Sequence, residues 1–480
     1  MRSADAHAAR GQLTRCVDRI AILGAPVDFR ELCERALPPG TRYVVFDLDR
    51  TLHFGRNMGE LLGWEICAHQ SYGPAYVAEL QASRTGGRVY LERSRPLAAL
   101  GYMARAADHW GLPGLFYLLW GKIAARHAAL WRRSFRRFGP EPVRAIQSIP
   151  QHALMHRIAA LPLATVRELA ACVWNRYRAD QTVERADIAW LRQRYPGVKI
   201  IISSASPQPT LEVGAEELGV DGIVYSSLEE HEGRLSAPCD LRRLARPDAA
   251  PHRISPPSRA RINAGRAKLH ELHTRYPELR DPAVVSVGIS DTGYGEDHCW
   301  TDAFTQLVDV NSATPFPPIV GAGARVRSIV SAGLLTRRER DARAAGNADY
   351  LDPRRKPAAS RTDRELGRDE LATLLAPVHD TVERLTRELG RRELAVAADR
   401  AVHAREAERA EQAIEDAVHA FNASAGAARA QAMRTLKQHL DRRVAATRRL
   451  ARMDRPVSAV TYELSRELER ARRALDVDAR

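Results

Sequence analysis

Apolar residues along this 480-residue chain fall into three patterns. The first is short and continuous: Tyr43-Val44-Val45-Phe46, Val198-Lys199-Ile200-Ile201-Ile202, Gly222-Ile223-Val224-Tyr225, Ala283-Val284-Val285-Ser286-Val287-Gly288-Ile289 and Leu307-Val308-Asp309-Val310. Runs of this length without strict alternation predict strands buried on both faces, as in a parallel sheet. Helical text separates them, so the pattern predicts an α/β fold with helices on both faces. The second pattern is looser. Leu13, Cys16, Ile20 and Ile22 make a rough helical stripe that Pro38-Pro39-Gly40 ends, which predicts a helical N-terminal segment over residues 1–40.

The third pattern is heptad-like. Leu371, Leu375, Val378, Val382, Leu385 and Leu389 recur at steps of 4, 3, 4, 3 and 4, and Met433, Leu436, Leu440, Val444, Thr447 and Leu450 nearly repeat this. With a break at Asn422 to Gly426, this predicts a coiled-coil-like helical hairpin over 369–480, with a third helix after Pro456. Charged, Pro/Gly-punctuated text places a linker at 326–368. The α/β unit then spans 41–54 and 191–325, interrupted by a helical insertion at 55–190.

Composition narrows the class. A hydrophobic fraction of 45% with 28% charged residues excludes wholesale disorder. No uncharged apolar run is long enough to span a bilayer, and Met1 to Arg10 lacks the apolar core of a secretory signal. The six cysteines are scattered, with no zinc or redox spacing, which points to a reducing cytoplasm. The net charge of +14 is unevenly spread: residues 53–199 hold 21 Lys and Arg against 10 Asp and Glu. Such a field attracts anions, whether metabolites, lipids or nucleic acid. Lysine itself is rare, at five residues against an arginine majority.

The chemistry starts behind the first strand, in Phe46-Asp47-Leu48-Asp49-Arg50-Thr51-Leu52. Two carboxylates two residues apart at the carboxyl end of a buried strand are costly unless a cation or a substrate uses them. This string resembles the first motif of the haloacid dehalogenase (HAD) superfamily, in its phosphoserine-phosphatase-like branch. The resemblance implies a Rossmann-like parallel sheet with an inserted helical cap, here 55–190. It implies Asp47 as nucleophile, Asp49 as general acid and base, and Thr51 as a residue that shapes the loop and helps bind phosphate. Asp49 favours phosphoester chemistry, because dehalogenases and phosphonatases of the superfamily lack that second Asp.

Three further motifs follow in order. Ile200-Ile201-Ile202-Ser203-Ser204-Ala205-Ser206-Pro207 resembles the phosphate-binding strand end, with Ser204 as the expected hydroxyl and Ser203 as the one-residue alternative. Lys268, in Gly265-Arg266-Ala267-Lys268, stands where the family places a lysine against the phosphoryl oxygens, and a compact ammonium suits that task. Ile289-Ser290-Asp291-Thr292-Gly293-Tyr294-Gly295-Glu296-Asp297 resembles the metal-binding motif, although Ser290 replaces its usual Gly. The resemblance implies Mg²⁺ held by Asp47, Asp49 and Asp291. Asp297 is the expected second acid of that motif, with Glu296 left open.

The cap carries Trp110, Phe116, Tyr117, Trp120, Trp131, Phe135 and Phe138 interleaved with Lys122, Arg126, Arg132, Arg133, Arg136 and Arg137. The simplest account is the cap's own core with a basic rim. An anionic membrane surface is a weaker alternative, and nucleic acid weaker still. The expected function is therefore a Mg²⁺-dependent phosphomonoester hydrolase acting on a phosphorylated small molecule. The alternatives are a peripheral-membrane lipid-phosphate phosphatase, or a HAD-fold binding protein with weak or lost catalysis. The C-terminal heptads point to self-association.

Overall fold

The computed structural model describes residues 12–73, 158, 161–227, 229–231, 234–236, 263–293, 297–312, 315–355 and 362–477. These residues divide into two compact units: 14–379 with 469–477, and 12–13 with 380–468.

The first unit opens with two short strands, β1 (Thr14–Cys16) and β2 (Arg19–Ile22). The N-terminal helical stripe is thus corrected: the first helix is α1 (Phe29–Ala36), capped by the Asp28 side chain on Glu31 N. Then come β3 (Tyr43–Phe46) and α2 (Met58–Tyr72), followed by α3 (Leu163–Arg176) and α4 (Arg185–Arg194). Strand β4 (Lys199–Pro207), helix α5 (Gln208–Leu218) and β5 (Gly222–Ser226) lead to the small hairpin β6 (Glu229–His231) and β7 (Arg234–Ser236). Helix α6 (Arg266–Arg275), β8 (Ser286–Ser290), β9 (Gln306–Val310), β10 (Ile319–Gly321) and β11 (Ser328–Ala332) complete the middle of the chain. Strand β11 and two more elements, α7 (Arg337–Ala344) and β12 (Arg364–Gly367), fall in the stretch read as a linker.

The main sheet runs β12-β2-β11-β9-β8-β3-β4-β5, and only the β12 edge is antiparallel. All five sequence-predicted strands lie in it. Strands β3, β8 and β9 are buried along their whole length and β4 beyond its first residue, which explains the unbroken apolar text. Val44, Phe46, Ile200, Ile202, Val287 and Ile289 join one core with residues of α1 to α5. On the other face, Gly288 has room only for hydrogen: a Cβ there would lie 2.8 Å from Trp300 and 2.7 Å from Phe304.

The linker reading fails because its charges satisfy one another inside the fold. Strand β11 pairs in parallel with β2 and β9. Helix α7 starts with a capping box between Thr336 and Glu339, and Arg355 closes on Glu339 at 2.5 Å, where Glu339 is 1% exposed. The mutual pairing makes these residues buried structure rather than a solvated tether.

Two long helices follow, α8 (Arg368–Ala423) and α9 (Gly426–Val477); α9 runs on through Pro456, so the expected third helix is part of α9 among the described residues. In the second unit they form an antiparallel pair, with Arg443 on Glu411 at 3.0 Å and Arg449 near Glu406 at 3.8 Å. Their shared face holds small residues: Ala410, Ala417 and Ala446 are buried. The aromatic and basic cap stretch from Trp110 to Phe138 lies outside the described residues. Among the described residues no helix is long and apolar enough to cross a membrane.

Candidate active site

Strands β8, β3 and β4 are adjacent and parallel, so their carboxyl ends open to the same edge of the sheet. Ligands of such sheets collect at that edge. Asp47 follows β3, and its N–H still donates to Ile289 O at 2.9 Å, which continues the ladder by one residue. Asp291 directly follows β8. Ser203 to Ser206 occupy the end of β4, where the register against β5 shifts between Ser203 and Pro207. Positions more than two hundred residues apart in the chain thus converge.

Lys268 sits on the first turn of α6, 1% exposed, and its Nζ donates to Asp47 Oδ1 at 2.8 Å and to Asp297 Oδ1 at 2.6 Å. The Trp300 ring lies beneath it, 5.4 Å from Nζ. This cradle orients a single ammonium toward Asp47. The other oxygen of Asp297 accepts from Ser290 Oγ at 2.6 Å and from Thr292 Oγ1 at 3.2 Å. Both Asp297 oxygens are therefore held by protein donors. Ser290, where the motif it resembles has Gly, supplies one of them. Glu296 lies outside the described residues.

Asp49 turns the other way. Its Oδ1 accepts the Met58 N–H at 2.6 Å, at the start of α2, and its Oδ2 accepts from Ser206 Oγ at 2.7 Å. Thr51 is fully buried; its Oγ1 accepts the Asp291 N–H at 3.1 Å, and its carbonyl accepts Thr182 Oγ1 at 2.6 Å. This threonine ties the first loop to the Asp291 loop. Ser204 Oγ accepts from Ser206 N at 3.2 Å, while Ser203 Oγ faces Asn263 Nδ2 at 3.4 Å. Asn263 also donates to the carbonyls of Ser204 and Val224, at 2.9 and 3.1 Å. Sequence reading missed Ser206, Asn263, Ser290 and Thr292. Of these, Ser206, Ser290 and Thr292 stood inside quoted motifs, and Asn263 stood in none.

Arg50, between Asp49 and Thr51, has a left-handed backbone with φ of 61°. For a residue with a Cβ, that conformation costs roughly 1–2 kcal/mol. Its N–H is fixed by Arg56 O at 2.8 Å. His53 is wholly buried, edge-on to the Trp174 ring at 4.5 Å, and neither ring nitrogen has a hydrogen-bond partner. Burial pushes its pKa down to about 3, so the ring is neutral.

The electrostatics are unbalanced. Four carboxylates, Asp47, Asp49, Asp291 and Asp297, surround one ammonium. Burial raises Asp47 well above the usual carboxylate range, Lys268 opposes this, and the neighbouring acids Asp297, Asp291 and Asp49 add to it. Burial also raises Asp49, against the hydrogen bonds from Ser206 and Met58. Asp291 is pushed up to about 7 by burial, with Arg50 the main opposing charge. Its Oδ1 is buried without a hydrogen-bond partner.

An orphaned carboxylate oxygen within an excess of negative charge is the local chemistry that a divalent cation satisfies. No group of three or more His, Cys, Asp or Glu side chains among the described residues is gathered into a ready-made cage. Mg²⁺ asks for less, since it takes one or two carboxylates and completes its shell with water and phosphate oxygens. Asp47 and Asp291 fit that demand.

No family model matches the chain, and no curated protein does. Several solved structures are similar to it. One is a protein of unknown function from Bordetella pertussis Tohama I, 13% identical, covering 57% of this chain and 92% of that one, with a TM-score of 0.35. A substrate-bound phosphoserine phosphatase is 12% identical over 57% of this chain and 88% of that one, with a TM-score of 0.27. A phosphoserine phosphatase in apo form is also 12% identical, covering 63% of this chain and 98% of that one, with a TM-score of 0.28.

Proposed function

We propose that this chain is a Mg²⁺-dependent phosphomonoester hydrolase that works through an aspartyl-phosphate on Asp47. The observation that carries the reading is Lys268 Nζ, buried and shared between Asp47 and Asp297, at the strand edge where Asp49 and Asp291 also arrive. A buried lysine clamped between two acids behind a doublet of aspartates serves little purpose in a plain structural core. Uncompensated buried charge of this kind is expensive.

In this reading Asp47 attacks phosphorus in line and the ester P–O bond breaks. Asp49 gives its proton to the departing alcohol oxygen. It then takes a proton from water, whose oxygen attacks phosphorus, and Asp47 leaves as a free carboxylate with inorganic phosphate released. The raised pKa of Asp49 suits a group that must begin protonated. Its contact with Ser206 Oγ is the exchangeable one, because the other partner is a helix N–H. Lys268 neutralises phosphoryl oxygens, and Ser204 is the hydroxyl assigned to bind them. Asp297 is assigned as the anchor of Lys268 rather than as a ligand. Mg²⁺, held by Asp47 and Asp291, supplies charge neutralisation at the phosphoryl oxygens when bound.

The test is hydrolysis of p-nitrophenyl phosphate with and without Mg²⁺, by wild type and Asp47→Asn. Metal-dependent turnover that falls at least a thousandfold in the variant is expected. Turnover that survives Asp47→Asn would remove Asp47 as nucleophile and, with it, this mechanism.

A further inference from the structure

The loop between the two aspartates and α2 carries two arginines, and they are used differently. Arg56 is tied down: its Nε sits 2.9 Å from buried Asp180, and its guanidinium lies 4.6 Å above the Tyr177 ring. Arg50 is exposed and makes no ion pair with a described residue, although it directly follows Asp49. Its charge still acts on the site. Among the groups opposing the burial of Asp291 it ranks first, and it acts on Asp49 in the same direction. Arg50 is thus an exposed cation on the loop that carries Asp49 and Thr51, next in the chain to the acid assigned to protonate the leaving group.

The backbone adds an independent observation. Among the described residues other than glycine, only Arg50 and Asn311 have positive φ. Asparagine is at home in that conformation, and arginine is not. Glycine at position 50 would hold the same turn without strain. A long cationic side chain kept at a strained position beside the reacting groups points from geometry to function. A guanidinium offers a planar fork that matches a carboxylate or a phosphate.

We propose that Arg50 sets substrate class: the phosphoester taken here carries a second anionic group, a carboxylate or another phosphate, on its alcohol portion, and Arg50 binds that group. This rests on the phosphatase reading, because it places the alcohol portion beside Asp49. Nothing in it depends on the cap.

The experiment compares phenyl phosphate, 4-carboxyphenyl phosphate and a short alkyl bisphosphate, using full-length wild type and Arg50→Gly. Glycine relieves the left-handed backbone, so the variant is expected to fold. The wild type should favour at least one anionic ester over phenyl phosphate in kcat/KM, and Arg50→Gly should lower that ratio at least tenfold. The ester that responds tells carboxylate from phosphate. An unchanged ratio, or equal loss on all three esters, overturns the proposal, since a residue that only balances the charge of Asp291 would act on every substrate alike.

Calorimetric binding of the same esters to Asp47→Asn separates the two readings. Binding of an anionic ester at least tenfold tighter than phenyl phosphate, lost in Asp47→Asn with Arg50→Gly, supports the recognition role even if the wild type shows no turnover. Such a result would remove the phosphatase reading alone. Equal or absent binding of all three esters overturns the role of Arg50 whatever the turnover.

Discussion

The strand-end loops and the long helices both announce themselves by spacing, yet spacing means different things in the two. In the loops each polar residue occurs once and acts through a partner far along the chain, as Lys268 does through Asp47 and Asp297. In the helices one apolar spacing occurs twice with opposite outcomes. Leu371, Leu375, Val378, Val382 and Leu385 are all buried, whereas Met433, Leu440 and Val444 are 47%, 43% and 46% exposed. A heptad step predicts that residues share a helix face; it does not say what the face meets. The repeated pattern is therefore redundant in part, and the unrepeated one is not.

The sharpest test of that contrast is Lys268→Ala. It removes one ammonium and leaves Asp47 and Asp297 facing each other in a buried site. Breaking a buried pair by deleting one partner costs about 3–5 kcal/mol. Turnover of p-nitrophenyl phosphate should drop by roughly three orders of magnitude or more, about 4 kcal/mol in the barrier. Asp297→Asn should cost less, because the amide oxygen still accepts from Lys268 and Asp47 is untouched; a tenfold to hundredfold loss is expected. If Asp297→Asn were the more damaging, Asp297 would be acting on substrate or metal and not as an anchor.

The order of Asp47, Asp49 and Asp291 was legible because their motifs sit at strand ends that the apolar text marks, and Lys268 stood out because lysine is rare in this chain. The hydrogen bonds that join them were not, because Ser206, Ser290 and Thr292 are ordinary hydroxyl residues at or just past strand ends until the strands are side by side. The same limit explains the N-terminus. Strands β1 and β2 are only three and four residues long, too short to show a period, and β2 pairs with β11 some three hundred residues later. The stretch at 337–355 misled for another reason: its charge signalled solvent, but Arg355 and Glu339 cancel each other inside the fold.

Within the helices, burial ranks the effects. Leu375 is fully buried, so Leu375→Ala should destabilise by about 2–5 kcal/mol in urea unfolding, through lost transfer energy and the cavity left behind. Loss of under 1 kcal/mol would mean that this stripe is not the core it resembles.

His53 adds a pH-dependent effect beside the loop that carries Asp47 and Asp49. Its folded pKa, near 3, lies below the ordinary value of 6.5, so the unfolded chain binds more protons between those limits. Stability from this residue is full above pH 6.5 and is lost as pH falls toward 3. The loss should amount to about 2–4 kcal/mol by pH 4, on the order of 1.4 kcal/mol per unit. His53→Leu should remove that component of the acid dependence. An unchanged slope between pH 6.5 and 4 would show that the ring finds a partner in solution.

The smallest effect belongs to the outward stripe. Leucine and alanine have similar helix propensity, and Leu440 keeps 43% of its surface in water, so Leu440→Ala should change stability by less than about 0.5 kcal/mol. The paired change Leu440→Glu with Val444→Glu probes the same face harder. It adds two acids to a stretch where Arg434, Lys437, Arg442 and Arg443 prevail, so it should also be nearly neutral in dilute solution. A loss of several kcal/mol, or a sedimenting mass that drops from above the 53.4 kDa monomer to the monomer itself, would show the stripe covered in solution. The two heptad stretches would then differ only in which surface covers them, and the contrast drawn from their exposure would disappear.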